Sequence, residues 1–434
     1  MVDLIMTPFD QINQQVQPAD KDRVFWWAAL GRSLATLLSS NGYDEEQQLY
    51  YLQWFYEAIL PSLGPRPTGG KPYHAATFTH DGSHLEYSLN WKEKKATQTI
   101  RFTTEPTSLA SGTATDRLNQ VTAQQVLKRM TEHIPGLDLA KFNTLLAATS
   151  VPNEAADQVL ASLPRGFPPA RVLLAYDLEG GSLVAKAYFN PGHRAAFEKT
   201  ATKNVVFDAV RKCNGPVGSY DASIKAVDDY LGTFAPEEAP QVTLLSNDCV
   251  PDSPSSRLKV YVTGPVNTLA IAKDMFSLRG KLSTPAITEG LKAIQDFWCY
   301  AFGLDSSEAG MENKEVLEKG NICVFVYEMK PTTQQEEGAG DPEMDVKMHM
   351  PATWLGKTDA QINKVMSGWF AKHGHAKLAA RYESDLAAAF PKHDLHDTRS
   401  LTHTWISLTW SQKTGLYMTM YYTPKLPQFY FQSN

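Results

Sequence analysis

The chain has few cysteines. Cys213, Cys249, Cys299 and Cys323 are widely spaced over 434 residues, with no CxxC pair and no Cys/His run at metal-ligand spacing. This argues against a disulfide-stapled or zinc-folded scaffold and fits a reducing, cytoplasmic compartment. No window reaches the ~18 apolar residues of a membrane span. The opening MVDLIMTPFDQINQQ lacks the basic and apolar stretches of a secretory leader. Positive charge is in deficit: 41 Lys plus Arg against 47 Asp plus Glu give a net charge of −6. Neither nucleic acid nor a membrane is therefore expected as a partner. A DDxxD-type carboxylate cluster is also missing. Asp228-Asp229 runs into Tyr230-Leu231-Gly232, and Asn247-Asp248 has no second acid at the required spacing. No metal site is expected.

Aromatic residues are abundant, with 9 Trp, 18 Tyr and 19 Phe. Residues 20–62 carry two helical patterns: Trp26, Trp27, Leu30, Leu34 and Leu37, then Leu49, Leu52, Phe55 and Ile59, broken at Asn41-Gly42. Beyond them, strand-like runs come in close pairs: 84–91 with 97–105, 170–178 with 182–190, 240–248 with 256–263, 321–329 with 344–350, and 401–411 with 415–424. Two helical patterns separate successive pairs, as in 117–133 with 137–147, 267–275 with 283–302, and 357–370 with 372–389. The repeated unit is helix–strand–strand–helix, about five times over. Ten antiparallel strands with helices on every connection predict an α+β fold, a closed barrel ringed by helices, because closure removes the edges of so large a sheet. A barrel of more than eight strands has room for a ligand. The stretch 331–342 is expected to be a long exposed hairpin loop, and residues 1–434 are expected to form a single domain.

Residues two apart share a strand face. By that rule Lys186 and Tyr188 lie together, as do Arg257, Lys259 and Tyr261, then Lys347 and His349, then Tyr417, Thr419 and Tyr421, while Arg101 stands between Thr99 and Thr103. The alternate positions are apolar: Ala185, Ala187 and Phe189; Leu258, Val260 and Val262; Met418 and Met420. If helices cover the apolar face, the basic and phenolic face points into the lumen. Desolvated cations need an anion, and few carboxylates are expected on those faces. A diphosphate suits Arg forks and Lys point charges, and tyrosine rings attract a cation lying over their faces. Such a lumen could ionise an allylic diphosphate and shield the carbocation.

These residues resemble the fungal aromatic prenyltransferases of the dimethylallyltryptophan synthase family. The resemblance runs through NGYDEEQQLYYLQWFYEAILPSLGP (41–65), LEYSLNW (85–91), IRFTTEP (100–106), AYDLEGGSLVAKAYFNP (175–191), SRLKVYV (256–262), KMHMP (347–351) and LYMTMYY (416–422). It implies a ten-stranded prenyltransferase barrel that transfers a dimethylallyl group from dimethylallyl diphosphate to an indole, with no cofactor and no obligatory metal. Glu86, from alternation alone equally an exposed strand acid, matches the glutamate that accepts the indole N–H. Arg101, Lys186, Arg257 and Lys259 match the diphosphate-binding cations, and Lys347 falls where members carry Gln or Lys. Tyr188, Tyr261, Tyr417 and Tyr421 match the tyrosines around the allyl cation.

His349 stands where most members have Tyr; as imidazolium it could bond a phosphate oxygen. Leu173, and Leu244 or Leu245, lie near positions where enzymes acting on free tryptophan carry a Lys and an Arg. This favours an uncharged acceptor, such as a tryptophan-containing cyclic dipeptide or an indole alkaloid. A phenolic or polyketide acceptor, and a non-catalytic anion-binding barrel, stay open, as does the choice between monomer and homodimer. His403 and Trp405 are placed either at the acceptor site or in core and rim. His373, His375, His393 and His396 are expected to be surface histidines, and Cys299 helix core.

Overall fold

The computed structural model describes residues 6–164, 171–317, 320–333 and 342–431. Ten strands form the wall: β1 Leu85–Lys92, β2 Thr99–Thr104, β3 Val172–Glu179, β4 Ser182–Phe189, β5 Gln241–Asp248, β6 Leu258–Pro265, β7 Ile322–Met329, β8 Met344–Pro351, β9 His403–Ser411 and β10 Gly415–Tyr422. Each pairs antiparallel with its chain neighbours, and β10 returns to β1, so the sheet is a closed barrel. Every strand boundary lies within two residues of the expected one. The β7–β8 pairing makes 331–342 a hairpin connection as expected, but Pro331 and Thr332 at its start are buried rather than exposed, Thr332 bridging to Ser219, and 334–341 lies outside the described residues.

The helices are α1 Pro8–Gln15, α2 Lys21–Ser40, α3 Glu45–Trp54, α4 Val121–Met130, α5 Ala140–Thr149, α6 Ala156–Ser162, α7 Gly192–Glu198, α8 Thr202–Arg211, α9 Asp221–Leu231, α10 Leu269–Ser277, α11 Pro285–Phe302, α12 Asp359–Lys372 and α13 Ala376–Ala389. The expectation of two helices per connection fails on two of them. The β2–β3 and β4–β5 connections carry three each, because α6 and α7 have seven residues, about two turns and too few to show a 3.6-residue period. Local chemistry fixes several helix starts. Asp44 with Gln47, and Thr358 with Gln361, form reciprocal capping boxes at α3 and α12. Thr284 caps α11 with Pro285 behind it, and Gly303 ends that helix at φ +66.

The outward strand residues form the main core. Tyr87, Trp91, Ile100, Phe102, Tyr176, Ala185, Val260, Phe325, Met418 and Met420 are all buried beneath helices. Buried tyrosines also bolt helices to the wall. Tyr87 Oη donates to the Leu30 carbonyl at 2.9 Å, Tyr327 Oη to that of Met275 at 2.7 Å, and Tyr51 Oη to that of Ser182 at 2.9 Å. Each exchanges an orphan hydroxyl for a tertiary link. Among the described residues no helix is long and apolar enough to cross a membrane.

Phe102 lies at the centre of this packing, with ring centroids 6.0 Å from Trp54, 5.2 Å from Phe55 and 5.5 Å from Tyr176. Phe102→Ala is expected to cost about 3–5 kcal/mol in urea unfolding, the penalty of an aromatic cavity in a rigid core.

Candidate active site

The inward positions of β2 to β8 carry alternating charges. Arg101 forms a forked pair with Asp177, its Nη2 standing 3.1 Å from Oδ2. Lys186 Nζ donates to that same Oδ2 at 2.6 Å and lies 3.7 Å from Asp248. Asp248 accepts from Lys259 at 2.7 Å and from Arg257 Nη2 at 3.1 Å. Arg257 reaches on to Glu328, whose other oxygen is 4.0 Å from Lys347. The five expected cations therefore do share the lumen, but the expectation of few carboxylates is wrong. Three acids, Asp177, Asp248 and Glu328, face the same space. Five cations against three anions leave a surplus of two positive charges.

The electrostatics follow from burial. Desolvation alone would raise these carboxyls, but the neighbouring cations overcome it. Arg101 and Lys186 hold Asp177, and Lys259 with Lys186 and Arg257 holds Asp248, well below the ordinary range, while Glu328 falls to about 2. Burial depresses Lys259 despite Asp248.

Beside this arc stands an aromatic one. Ring centroids step from Tyr188 to Tyr261 at 6.1 Å, from Tyr261 to His349 at 6.3 Å, and from His349 to Tyr421 at 5.8 Å. Tyr417 belongs to the charged side: Lys347 Nζ sits 4.2 Å from its ring centroid, and its hydroxyl donates to Asn90 at 3.2 Å. Burial would raise the Tyr417 phenol, but Lys347 and Arg101 outweigh that and lower it. For His349 the imidazolium form is disfavoured. Desolvation, then the Lys347 charge, pushes its pKa down to about 3, so the ring is neutral and takes a tyrosine's place in the aromatic row. Ser88 Oγ, Asn90 Nδ2 and Ser407 Oγ, on inward strand positions, have no partner among the described protein atoms.

Glu86 lies on the inward face of β1, opposite Thr103. It is 9 % exposed, and Thr404 donates to its Oε1 at 2.6 Å. Burial raises the carboxyl to about 7 against the lowering effect of Thr404. Other inward positions are apolar. Leu173 is opposite Tyr188 and Leu244 opposite Tyr261, whereas Leu245 faces the outer core, so only Leu244 of that pair borders the lumen.

The two candidates on β9 separate. His403 is buried outside the barrel, bonded to Asp359 at 2.7 Å, while Trp405 keeps the inward parity of Ser407. His373 and His375 are half-buried rather than superficial, both holding Glu93 at 2.8 Å. His396 is exposed, and Cys299 is buried as expected. Among the described residues no group of three His, Cys, Asp or Glu is placed to hold a metal ion.

The model of the tryptophan dimethylallyltransferase family matches residues 22–385. The chain belongs to that family. A prenyltransferase of Pestalotiopsis fici, iacE, is 50% identical over 424 residues, covering 97% of this chain and 95% of its own. The 7-dimethylallyltryptophan synthase hasE of Aspergillus fumigatus is 29% identical over 96% of this chain and 89% of its own. Among solved structures, AnaPT from Neosartorya fischeri superposes with a TM-score of 0.82 at 22% identity, over 96% of this chain and 98% of that one. This member of the tryptophan dimethylallyltransferase family is accordingly a prenyltransferase with the family's barrel.

Four residues of this prenyltransferase's lumen escaped the sequence reading. Asp177, Asp248 and Glu328 occupy first strands of their hairpins, and the same two-residue alternation applied to those strands finds all three. Thr404 has no such signal, because a β-bulge turns it inward.

Two outcomes follow from the charges. Asp248→Asn removes the anion that Lys186, Lys259 and Arg257 share, so inorganic pyrophosphate should bind several-fold tighter by calorimetry, while the variant's melting temperature falls without pyrophosphate. For Glu86, the folded pKa of about 7 lies above the ordinary 4.5, so the folded state holds an extra proton between those values and loses stability as pH rises through them. Glu86→Gln should be more stable than the parent by about 1–3 kcal/mol above pH ~7, with no difference below pH ~4.

Proposed function

We propose that this enzyme transfers a dimethylallyl group from dimethylallyl diphosphate to the ring of an uncharged indole, a tryptophan-containing cyclic dipeptide or an indole alkaloid, acting as one 434-residue catalytic unit. The observation that carries the reading is the surplus of two positive charges set directly beside the row Tyr188, Tyr261, His349 and Tyr421. Arg101, Lys186, Arg257, Lys259 and Lys347 receive the departing diphosphate, whose negative charge meets the two positive charges that the lumen carboxylates leave uncompensated. The C–O bond breaks, its electron pair leaves with the diphosphate, and the rings hold the allyl cation over their negative faces. Neutral His349 serves in that shield rather than on the phosphate. The indole attacks, and Glu86, accepting the N–H, draws off the charge that develops on the ring and assists loss of the ring proton. The name of the hasE relative supports the indole and the donor. Leu173 and Leu244 offer no cation to an acceptor carboxylate, which supports an uncharged substrate. The five cations take the phosphate-neutralising part a divalent ion would otherwise play, and the lumen carboxylates are committed to Lys and Arg, so activity is expected to persist in chelator.

One observation favours a second acceptor class. A buried carboxyl poised near neutrality suits abstraction of a phenolic proton better than bonding an indole N–H, which is not lost. Incubation with radiolabelled dimethylallyl diphosphate and parallel panels of indole diketopiperazines and naphthols decides between them. With the preferred acceptor, Lys186→Ala should lower kcat about 10²–10³-fold and Glu86→Gln about 10²–10⁴-fold. The rate should rise with pH up to about 7, as Glu86 ionises. Unchanged transfer by both variants would refute the site assignment.

A further inference from the structure

On the outer side of β9 a buried hydrogen-bond chain joins α12 to the wall. Asp359, the first residue of α12, accepts from the backbone N–H of Thr402 at 2.8 Å, from that of His403 at 2.9 Å, and pairs with His403 Nδ1 at 2.7 Å. The side chains of His403 and Asp359 are 0% and 1% exposed. His403 Nε2 lies 3.2 Å from Tyr382 Oη, which is 2.7 Å from Tyr422 Oη. No substrate can reach this cluster, yet it is fully connected, which is costly to build and rigid once built.

Its location gives it a purpose. Met420 pairs with Ile406 and Tyr422 with His403, so Tyr421 alone faces Thr404 and Trp405, the signature of a bulge. Carried without a break from outward Ile406, the alternation would turn Thr404 toward the helices and His403 into the lumen. The bulge reverses both. His403 enters the outer cluster, and Thr404 turns inward to donate to Glu86 Oε1 at 2.6 Å.

We propose that Asp359 and His403 are positioning residues that clamp the β9 bulge from outside, so that Thr404 fixes Glu86 with one oxygen bonded and the other turned to the acceptor. The proposal rests on the reading of Glu86 as the acceptor-binding base. Other groups bear on Glu86 from each side: Asp81 from the segment before β1, Tyr421 from β10, and Arg101 from β2, itself bound to Asp177. The outer cluster is faced by Tyr382 and Asp385 of α13, Tyr422 of β10, His393 between α13 and β9, and Lys425 beyond β10.

The experiment is the pH profile of kcat at saturating donor. Thr404→Val keeps the shape and deletes the donor, so the limb of the profile assigned to Glu86 should move up by about one pH unit, the worth of one hydrogen bond to a charged group. Thr404→Ser should restore it. His403→Gln should move the limb the same way, with donor KM unchanged, and should move it no further in a Thr404→Val background. If His403→Gln does not fold, Tyr382→Phe replaces it, with the same direction expected. An unmoved limb in Thr404→Val overturns the proposal whatever the outer variants do. A parental profile with only a lower melting temperature in His403→Gln reduces the cluster to a structural one. Glu86→Gln separates the two levels: a limb that survives it refutes the role of Glu86 itself, and a limb that disappears leaves the clamp to be judged by Thr404→Val.

Discussion

Compensation of buried charge governs this barrel. Lys186, Lys259 and Arg101 cannot sit in a desolvated lumen without anions, and Asp177, Asp248 and Glu328 supply them across neighbouring strands. The strand register places each acid within reach of two or three cations, Asp248 against Lys186 and Lys259 near Ser246 for instance. The incomplete balance is what makes the arc useful. A fully neutral lattice would gain little from an incoming diphosphate, whereas a bare set of cations would destabilise the fold.

The same wall keeps two chemistries apart. Charged side chains occupy one layer along the strands and rings the next, as Lys186 and Tyr188 do on β4 and Lys259 and Tyr261 on β6, with Lys347 over Tyr417 where the two meet. A leaving group and a carbocation produced from one bond are thereby each met by surroundings of matching sign. Glu86 forms no ion pair with a lumen cation among the described residues, and, raised by burial, it can act as a base that the arc does not silence.

How much could be read from the chain depended on periodicity. Strand pairs with period two, such as Ala185, Ala187 and Phe189 against Lys186 and Tyr188, announced both the barrel and the direction of its faces. The helices α6 and α7 were too short for a period to register. Asp177, Asp248 and Glu328 were legible by the same rule on the partner strands. Thr404 and His403 were not, because a single extra residue in β9 inverts the parity around them, and that insertion is set by contacts with α12, remote in sequence. The charge state of His349 was beyond the sequence for a similar reason: its neutrality comes from burial and from Lys347, and neither is visible in a list of residue types.

Closure of the sheet has a chemical consequence besides its structural one. A free allyl cation alkylates any accessible lone pair, and exposed peptide carbonyls are abundant targets in most clefts. Here β10 returns to β1, so the carbonyls of the wall spend their lone pairs on the neighbouring strand, in the plane of the sheet and not toward its axis. The vessel is thus lined by side chains chosen one by one, and its peptide backbone is withheld from the electrophile it contains.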